Sequence, residues 1–342
     1  MEIKEILART VYGQSLSQEE ARWMMERIMS GEVTDAQIGA YLTALRMKGE
    51  TVDEIAGSAQ AMRAKALRVN AGEGVVVDTC GTGGDGLGTF NISTTVAFIV
   101  AACGVTVAKH GNRSITSKSG SADVLLALGV NIDLEPPMVE RCLREAGVGF
   151  LFAPRHHGAM KHAMGPRREL GFFTIFNLLG PLTNPAGAAR QLIGVFHEKW
   201  VEPVARTLGR LGSQRAMVVH GLDGLDEITT TGTTRIAQLH PDGTITTLML
   251  EPETVGIRRT APSELKGGDA ACNADITRRI LNGEQGPHRD IALLNAAAAL
   301  MVADKAQDLT DGIRLAANAV DSGQAMERLT RLVFLSHSPK DP

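Results

Sequence analysis

Residues 81–88 contain five glycines in eight positions, shortly after a β-branched apolar run at residues 75–77. A loop so rich in glycine leaves its backbone N–H groups uncovered, which is costly unless another group must approach the backbone closely. The apolar run predicts a buried parallel strand with Asp78 at its carboxyl end, and an apolar helix follows the loop as far as Cys103. The helix start offers three candidate N-cap side chains, Asn91, Ser93 and Thr94. Free amides and a helix dipole both favour anions, so the segment predicts a phosphate site.

Two commoner phosphate loops do not fit these residues. Gly81, Gly83 and Gly86 spell the G-x-G-x-x-G pattern of dinucleotide sites, which also needs an acid at the end of the next strand to bind a ribose hydroxyl. Here the next predicted strand, residues 105–108, is followed by the cation Lys109. The nucleotide P-loop requires Gly-Lys-Ser/Thr at the helix start, and no such tripeptide occurs in the loop.

Composition excludes several other classes of protein. A formal net charge of −3 gives no overall attraction to nucleic acid or anionic membranes, and 4% aromatic residues are too few for base-stacking surfaces. The N-terminus has no signal-like apolar core, and no apolar run approaches the ~20 residues of a membrane span. The cysteines lie far apart and suit neither a zinc site nor a disulfide framework: Cys80, Cys103, Cys142 and Cys272. We expect a cytoplasmic protein that binds neither nucleic acid nor membrane.

The chain divides into a helical part and an α/β part. The first ~70 residues contain three capping boxes, which pair Ser17 with Glu20, Thr34 with Gln37, and Thr51 with Glu54. Strands then alternate with helices, which predicts an α/β domain with a central, mainly parallel sheet flanked by helices. We therefore expect a helical domain over residues 1–72 and an α/β domain over residues 73–342.

Three further local predictions concern the α/β part. Residues 155–190 are predicted to be irregular and basic, and short antiparallel strands are expected within residues 235–260. Two helices, at residues 289–304 and 307–332, are expected to end the fold.

Polar residues follow four predicted strands, and ligands of open α/β sheets bind at the carboxyl ends of strands. The four clusters are Asp85, Asn91 and Ser93; residues 109–113 with Ser117 and Ser121; His156 and His157 with Arg167 and Arg168; and Asp223 with Asp226 and Glu227. The second and third clusters supply cations, and the fourth supplies carboxylates. This combination suggests a polyanionic ligand that a divalent cation such as Mg²⁺ bridges to the carboxylates. Simpler explanations exist for several of these residues. Lys109 and Arg113 could belong to a solvated loop, as could the adjacent acids Asp226 and Glu227. The histidines could be polar lining or surface residues, and Arg167 could pair with Glu169 or lie in solvent.

Seven sequence blocks carry a resemblance to a known family. They are GTGGDG at 81–86, TFNIST at 89–94, KHGNRSITSKSGSADVL at 109–125, FLFAP at 150–154, RRELG at 167–171, TIFNLLGPLTNPAGA at 174–188 and HGLDGLDEI at 220–228. With these blocks and the helical N-terminal part, the sequence resembles the anthranilate phosphoribosyltransferases over nearly its whole length. The resemblance implies the fold shared with pyrimidine nucleoside phosphorylases, hinge contributions from about residues 165–190, and a homodimer formed through the helical domain.

The reaction implied by the resemblance is transfer of the phosphoribosyl group of phosphoribosyl pyrophosphate (PRPP) to the amine of anthranilate. Mg²⁺ is the implied cofactor, with two ions per subunit. The implied PRPP contacts are Gly81, Gly84, Asp85, Thr89, Asn91, Ile92, Ser93, Thr94, Lys109, His110, Gly111, Asn112, Arg113, Ser114, Ile115, Thr116, Ser117 and Ser121. The implied metal ligands are Ser93, Asp226 and Glu227. The implied anthranilate contacts are Gly81, Asn112, His157 and Arg167, near a Gly180–Pro181 hinge.

The sequence departs from the family pattern at two positions and offers no obvious general base. Gly158 stands where the family often has proline, and Phe173 stands where it usually has arginine. Two rival functions remain: a pyrimidine nucleoside phosphorylase and a non-catalytic relative that binds nucleic acid. The first would not need the Asp226–Glu227 pair, and the second should show a basic face and a degraded substrate motif.

Overall fold

The N-terminal part of the chain is a bundle of helices whose starts are marked in the sequence. The computed structural model describes residues 1–114 and 118–338. The bundle consists of α1 (Ile3–Val11), α2 (Gln18–Met29), α3 (Asp35–Lys48) and α4 (Val52–Lys65). All three predicted capping boxes are present, at the starts of α2, α3 and α4. In each, the cap hydroxyl accepts from a first-turn amide and the glutamate or glutamine side chain accepts from the cap amide.

A seven-stranded sheet forms the centre of the larger part, counted over the described residues. Its strands are β1 (Val76–Gly81), β2 (Thr106–Gly111), β3 (Val148–Phe152), β4 (Arg190–Gly194), β5 (Arg215–Gly221), β6 (Thr234–Leu239) and β7 (Ile245–Leu250). The order is β3-β2-β1-β4-β5-β6-β7, with parallel pairing from β3 to β5 and antiparallel pairing at β6 and β7. The predicted mainly parallel α/β fold is confirmed. Strand order reverses between β1 and β4, and the crevice at such a switch point is where ligands of open sheets bind.

The helices of the α/β part differ from the predictions in three places. They are α5 (Ile92–Ala102), α6 (Ser121–Ala127), α7 (Pro136–Ala146), α8 (Ala153–His156), α9 (Lys161–Leu170), α10 (Phe176–Leu179), α11 (Val201–Arg210), α12 (Ala270–Leu281), α13 (Pro287–Val302), α14 (Leu309–Asp321) and α15 (Gln324–His337). The stretch predicted to be irregular contains α8 to α10, and α12 was not predicted. The single helix expected at 307–332 is two helices, because the chain turns at Gly323, where φ is +78°.

Two hydrophobic cores lie on opposite faces of the sheet. One joins the sheet to α5, α7 and α12–α15, and the other joins it to the N-terminal bundle with α10 and α11. Successive residues along a strand alternate between them: Leu192 belongs to the first core and Ile193 to the second. The bundle packs mainly against α9–α11, and α11 in turn packs against β5 and β6.

Residues that follow α4 connect the bundle to the segment before β4. Leu67 and His156 exchange hydrogen bonds, since the Leu67 amide donates to the His156 carbonyl and the His156 Nδ1 lies 2.8 Å from the Leu67 carbonyl. Arg63 Nε donates to the Leu182 carbonyl at 2.6 Å. The bundle is thus attached at two points, one just before the predicted hinge region and one within it. None of the helices within residues 1–114 and 118–338 combines the length and apolar character that crossing a membrane requires.

Candidate active site

The glycine loop after β1 and an acidic loop after β5 meet at the switch point. Gly81 ends β1 and Gly194 ends β4. A Cβ on Gly81 would lie 2.5 Å from Asp226 Oδ2, and one on Gly194 would lie 1.5 Å from the Asp226 carbonyl oxygen. The Gly83 amide donates to Asp226 Oδ2 at 2.7 Å. Only glycine at both strand ends lets the acidic loop approach this closely.

Asp226 and Glu227, in the loop after β5, are neighbouring carboxylates that lie beside the start of α5. Glu227 is 8% exposed, and its Oε1 accepts from the Ser93 amide at 3.2 Å. Burial raises the pKa of Glu227 to about 7, although the Lys109 ammonium opposes the rise. Desolvation, and then the charges of Asp85 and Glu227, raise the pKa of Asp226 well above its usual range. The acids repel one another, and a divalent cation would relieve that repulsion.

Hard oxygen donors of this kind fit Mg²⁺, which typically takes one or two carboxylates and completes its shell with water and substrate phosphates. Within residues 1–114 and 118–338 no group of three or more His, Cys, Asp or Glu side chains is arranged to hold a metal ion by itself. The predicted ligands Ser93, Asp226 and Glu227 do come together here, because the amide of Ser93 binds Glu227.

The acidic loop is held by residues that the sequence patterns did not single out. Asn295 on α13 accepts from the Ile228 amide at 2.9 Å and donates Nδ2 to the Ile228 carbonyl at 2.8 Å. Asp223, grouped with the acidic pair in the sequence, accepts hydrogen bonds from the hydroxyls of Thr229 and Thr231. Asp223 therefore stabilises the turn.

Lys109 lies on β2 and points at the start of α5. It is only 3% exposed, and its Nζ donates to the Thr79 carbonyl and to Ser93 Oγ, the latter at 3.2 Å. Burial lowers the pKa of Lys109, with Asp78 and Glu227 opposing the effect. The solvated-loop alternative for Lys109 is therefore wrong. Its cation is fixed beside the acidic pair.

Asp78 lies within β1 and not at its carboxyl end, which corrects the sequence prediction. The strand continues through Gly81, so the Asp78 side chain is fully buried beneath the crevice. It accepts from the His110 amide at 3.1 Å and from Asn184 Nδ2 at 2.8 Å. Asn184 Nδ2 also donates to the Ala108 carbonyl at 2.7 Å. Asp78 and Asn184 thus join β1 and β2 to the hinge region.

The segment after β2 is organised around Asp123, another residue that the sequence reasoning missed. Its Oδ2 accepts from the amides of Ser114 at 3.2 Å and Gly120 at 2.9 Å. Arg113 is exposed and lies 3.5 Å from the same carboxylate. Gly111 ends β2, and the Ser121 hydroxyl donates to the Asn112 carbonyl at 3.2 Å. Ile115, Thr116 and Ser117, predicted to contact PRPP, lie outside the described residues.

Asn91 occupies the N-cap position of α5, but its side chain does not cap the helix. Its Nδ2 donates to the Ser119 carbonyl at 3.3 Å, and its Oδ1 accepts from Asn273 at 2.9 Å. Ile92 and Thr94 are buried, so only their backbones can face a ligand. Among the remaining predicted contacts, Asp85 accepts from the Leu87 amide, Gly84 lies in the loop, and Thr89 pairs with Lys266.

Two buried histidines form the other wall of the crevice. The rings of His110 and His157 are 5.1 Å apart, and His110 Nδ1 lies 3.1 Å from the Gly180 carbonyl. A carbonyl can only accept, so His110 carries its proton on Nδ1. Burial lowers the pKa of His157 to about 4 and that of His110 well below its usual range. Both rings are therefore neutral, and the Nε2 of each lacks a partner within the described residues.

Arg167 lies in the last turn of α9, with its guanidinium carbon 4.9 Å from the centre of the Phe176 ring. Burial lowers the pKa of Arg167, whereas Arg168 and Glu169 are exposed. Among the described residues Arg167 makes no ion pair, so the alternative of a pair with Glu169 is wrong. Its stacked guanidinium can still receive a carboxylate.

Comparison with known proteins identifies the family. The family model described as "Glycosyl transferase family, helical bundle domain" matches residues 4–66, and the one described as "Glycosyl transferase family, a/b domain" matches residues 73–326. An anthranilate phosphoribosyltransferase of Paramagnetospirillum magneticum is 58% identical over 335 residues, which cover 98% of this chain and 96% of the relative. The chain belongs to the anthranilate phosphoribosyltransferase family.

Solved structures of anthranilate phosphoribosyltransferases support the assignment. The enzyme of Thermus thermophilus superposes with a TM-score of 0.92 at 43% identity, covering 97% of this chain and 99% of its own. The enzyme of Saccharomyces cerevisiae, solved in complex with PRPP and Mg, gives a TM-score of 0.89 at 27% identity, covering 98% and 97%. The predicted family, fold and enzyme class, a pentosyltransferase, are confirmed.

Proposed function

We propose that the crevice between β1 and β4 is where this chain transfers the phosphoribosyl group of PRPP to the amine of anthranilate. The products are N-(5-phosphoribosyl)anthranilate and pyrophosphate, and the reaction is the second step of tryptophan biosynthesis from chorismate. One observation carries the proposal: the amides of Gly83 and Ser93 bind the adjacent carboxylates of Asp226 and Glu227, so a phosphate loop and an acidic pair share one site.

PRPP would lie along the glycine loop and the start of α5, where backbone amides and the helix dipole favour phosphate. We assign the Mg²⁺ sites to Ser93, Asp226 and Glu227, with two ions per subunit. When bound, Mg²⁺ supplies positive charge opposite the pyrophosphate. Lys109 adds a fixed cation, since its Nζ is already held by Ser93 and Thr79.

Anthranilate would lie between the buried histidines and Arg167. A guanidinium can hold a carboxylate through two parallel hydrogen bonds, and the Phe176 ring lies against the guanidinium of Arg167. The neutral His157 presents an Nε2 acceptor. Asn112 follows β2 and would reach the same space from the donor side.

In the reaction the C1–oxygen bond to pyrophosphate breaks and a C1–nitrogen bond forms, and the amine then loses a proton. This chain contributes mainly by positioning both substrates and by stabilising charge. We assign no general base. No atom lies within 4 Å of the Cβ position of Gly158, so the structure leaves room there for the proline that the family often has.

We further propose a cytoplasmic homodimer that forms through the helical bundle. Tyr12 after α1 and Met47 on α3 are 82% and 84% exposed, and Val11 is 63% exposed. Large apolar side chains so exposed are typical of a surface that another chain covers. A light-scattering mass that remains monomeric at micromolar concentration would contradict this part of the proposal.

The function is tested by following anthranilate fluorescence. We expect a loss of fluorescence that requires both PRPP and Mg²⁺ and that stops when a chelator is added. Release of a base from uridine or thymidine with phosphate, without PRPP-dependent loss of anthranilate, would instead identify a nucleoside phosphorylase. If the protein shows neither activity, the non-catalytic alternative is the one that remains.

A further inference from the structure

The glycine loop contacts an aromatic ring that the proposed substrate contacts leave unexplained. Gly84 has a φ of +85°, and a Cβ on it would lie 2.4 Å from Cζ and 2.8 Å from Cε2 of Phe173. The ring occupies the place that a side chain at position 84 would take. Since both the positive φ and this spacing require glycine, the loop and the ring are fitted to each other.

Phe173 is itself held by a second ring, and we call the two together the aromatic clamp (Phe173 and Phe196). Their centroids are 4.9 Å apart at an interplanar angle of 73°, the edge-to-face arrangement that aromatic quadrupoles favour. The Phe196 amide donates to Thr82 Oγ1 at 2.9 Å, and the Thr82 amide donates to the Gly194 carbonyl at 2.9 Å. The clamp therefore attaches the glycine loop to the chain that follows β4.

The same ring belongs to the segment that carries Arg167. Helix α9, with Arg167 in its last turn, ends at Gly171, where φ is +64°. Just beyond Phe173, the Thr174 amide donates to Asn177 Oδ1 at 3.0 Å and so fixes the start of α10. Phe173 is thus a direct contact between the glycine loop and the connection from α9 to α10.

We propose that Phe173 is a positioning residue that holds the glycine loop and the Arg167 segment in one relative placement. The ring has no charge and no hydrogen-bonding atom, so it does not itself bind phosphate or carboxylate. It restricts the conformations of the loop before substrates arrive, which lowers the entropy cost of binding and aligns donor with acceptor. The inference rests on the proposed function, because it takes PRPP to lie at the loop and anthranilate at Arg167.

The test compares Phe173→Ala with Phe172→Ala, since the neighbouring Phe172 is 43% exposed and offers the same truncation without the loop contact. For Phe173→Ala we expect KM to rise roughly two- to tenfold for both substrates, with a smaller change in kcat. We also expect faster hydrogen exchange at the amides of Thr82 and Gly83, which are bonded to Gly194 and Asp226. Phe173→Leu refills part of the volume and should lie between wild type and Phe173→Ala.

A purely structural role would lower the melting temperature and the active fraction while leaving KM unchanged, and that outcome overturns the proposal. The proposal is also overturned if Phe173→Ala has the same KM values and the same hydrogen-exchange rates as Phe172→Ala. If Phe173→Ala does not fold, Phe173→Leu decides by the same two readouts. If the wild-type protein makes no product, the proposed function is rejected. Hydrogen exchange is measured without substrates, so it then still tests the contact between Phe173 and Gly84.

Discussion

The donor side of the crevice is built mainly from backbone, whereas the acceptor side is built from side chains that helices deliver. On the donor side (residues 81–94, 109–114 and 226–227), loop and helix amides meet carboxylates at strand ends. On the acceptor side (residues 153–184), His157 and Arg167 are oriented by packing against His110 and Phe176. Under the proposed function, phosphate recognition depends mainly on the path of the backbone, whereas acceptor recognition depends on individual side chains.

The two sides also differ in charge. On the donor side burial, and then the charges of neighbouring acids such as Asp85, raise the pKa values of Asp226 and Glu227, and a divalent cation would relieve the repulsion among these carboxylates. On the acceptor side burial lowers the pKa values of His156 and His157, so both imidazoles are uncharged, in contrast to the guanidinium of Arg167. Substitutions should accordingly fail in different ways on the two sides.

The largest effect is expected from removing the acidic pair. Asp226→Ala with Glu227→Ala should reduce Mg²⁺-dependent turnover by roughly 10³-fold or more, since the metal ligands and their charge are lost. The melting temperature should stay the same or rise, because crowded carboxylates repel one another. Activity is measured by anthranilate fluorescence, with the surface variant Glu253→Ala as the control. Wild-type turnover in the double variant would remove the metal assignment.

The next effect concerns the path of the glycine loop. Gly83 has a φ of +66° with open space around its Cβ position, so valine there strains the backbone and stands where phosphate must approach. Gly243→Val is the matched control, since Gly243 has a φ of +83°, similar open space and a place in the β6–β7 turn. Both variants should melt cooperatively without ligand. Only Gly83→Val should lose the rise in melting temperature that PRPP produces by binding the native state.

Arg167→Ala tests the acceptor side by itself. Losing a charge-assisted contact of ~1.5–3 kcal/mol corresponds to roughly a ten- to hundredfold fall in kcat/KM for anthranilate. PRPP binding should be nearly intact. Arg168→Ala controls for the loss of positive charge, because Arg168 is exposed on the same helix. Wild-type anthranilate kinetics in both variants, or greater sensitivity of Arg168, would show that the acceptor site lies elsewhere.

The smallest effect is a dependence of stability on pH. His157 has a pKa of about 4 in the native protein against a usual value of 6.5, so the unfolded chain binds the extra proton first. This contribution to stability is present above about pH 6.5 and is lost as the pH falls toward about 4. His157→Asn should flatten the fall in melting temperature over that window. The exposed His337→Asn should leave the slope unchanged, and an unaltered slope in both would contradict the buried, neutral state of His157.

Much of the donor side was predictable because its signals are local. The glycine run and the polar residues after each strand depend on neighbours in the sequence, and the structure confirms the strands that they follow. Asp78 shows the limit of such reasoning: an apolar run marks where a strand starts, but a buried Asp, Thr and Cys continue it to Gly81. Asn91 shows another limit, since Asn273 competes for the oxygen that would cap α5.

The acceptor side was less predictable because its residues depend on packing between distant parts of the chain. Its basic residues suggested an irregular segment, yet α9 forms and packs against α2 and α3. Phe173 acquires its role only through Gly84, and Asn295 on the donor side acquires its role only through Ile228, both far away in the sequence. No pattern within the sequence of α13 indicates that Asn295 holds the acidic loop.

The second hydrophobic core has a consequence for synthesis of the chain. Helices α1–α4 share that core with α10, α11 and one face of the sheet, which are made roughly 150 residues later. At ribosomal rates of about 5–20 residues per second, the bundle waits on the order of ten seconds before its apolar surface is covered. During that interval the apolar surface that the bundle later buries in this core is accessible to chaperones and to neighbouring nascent chains.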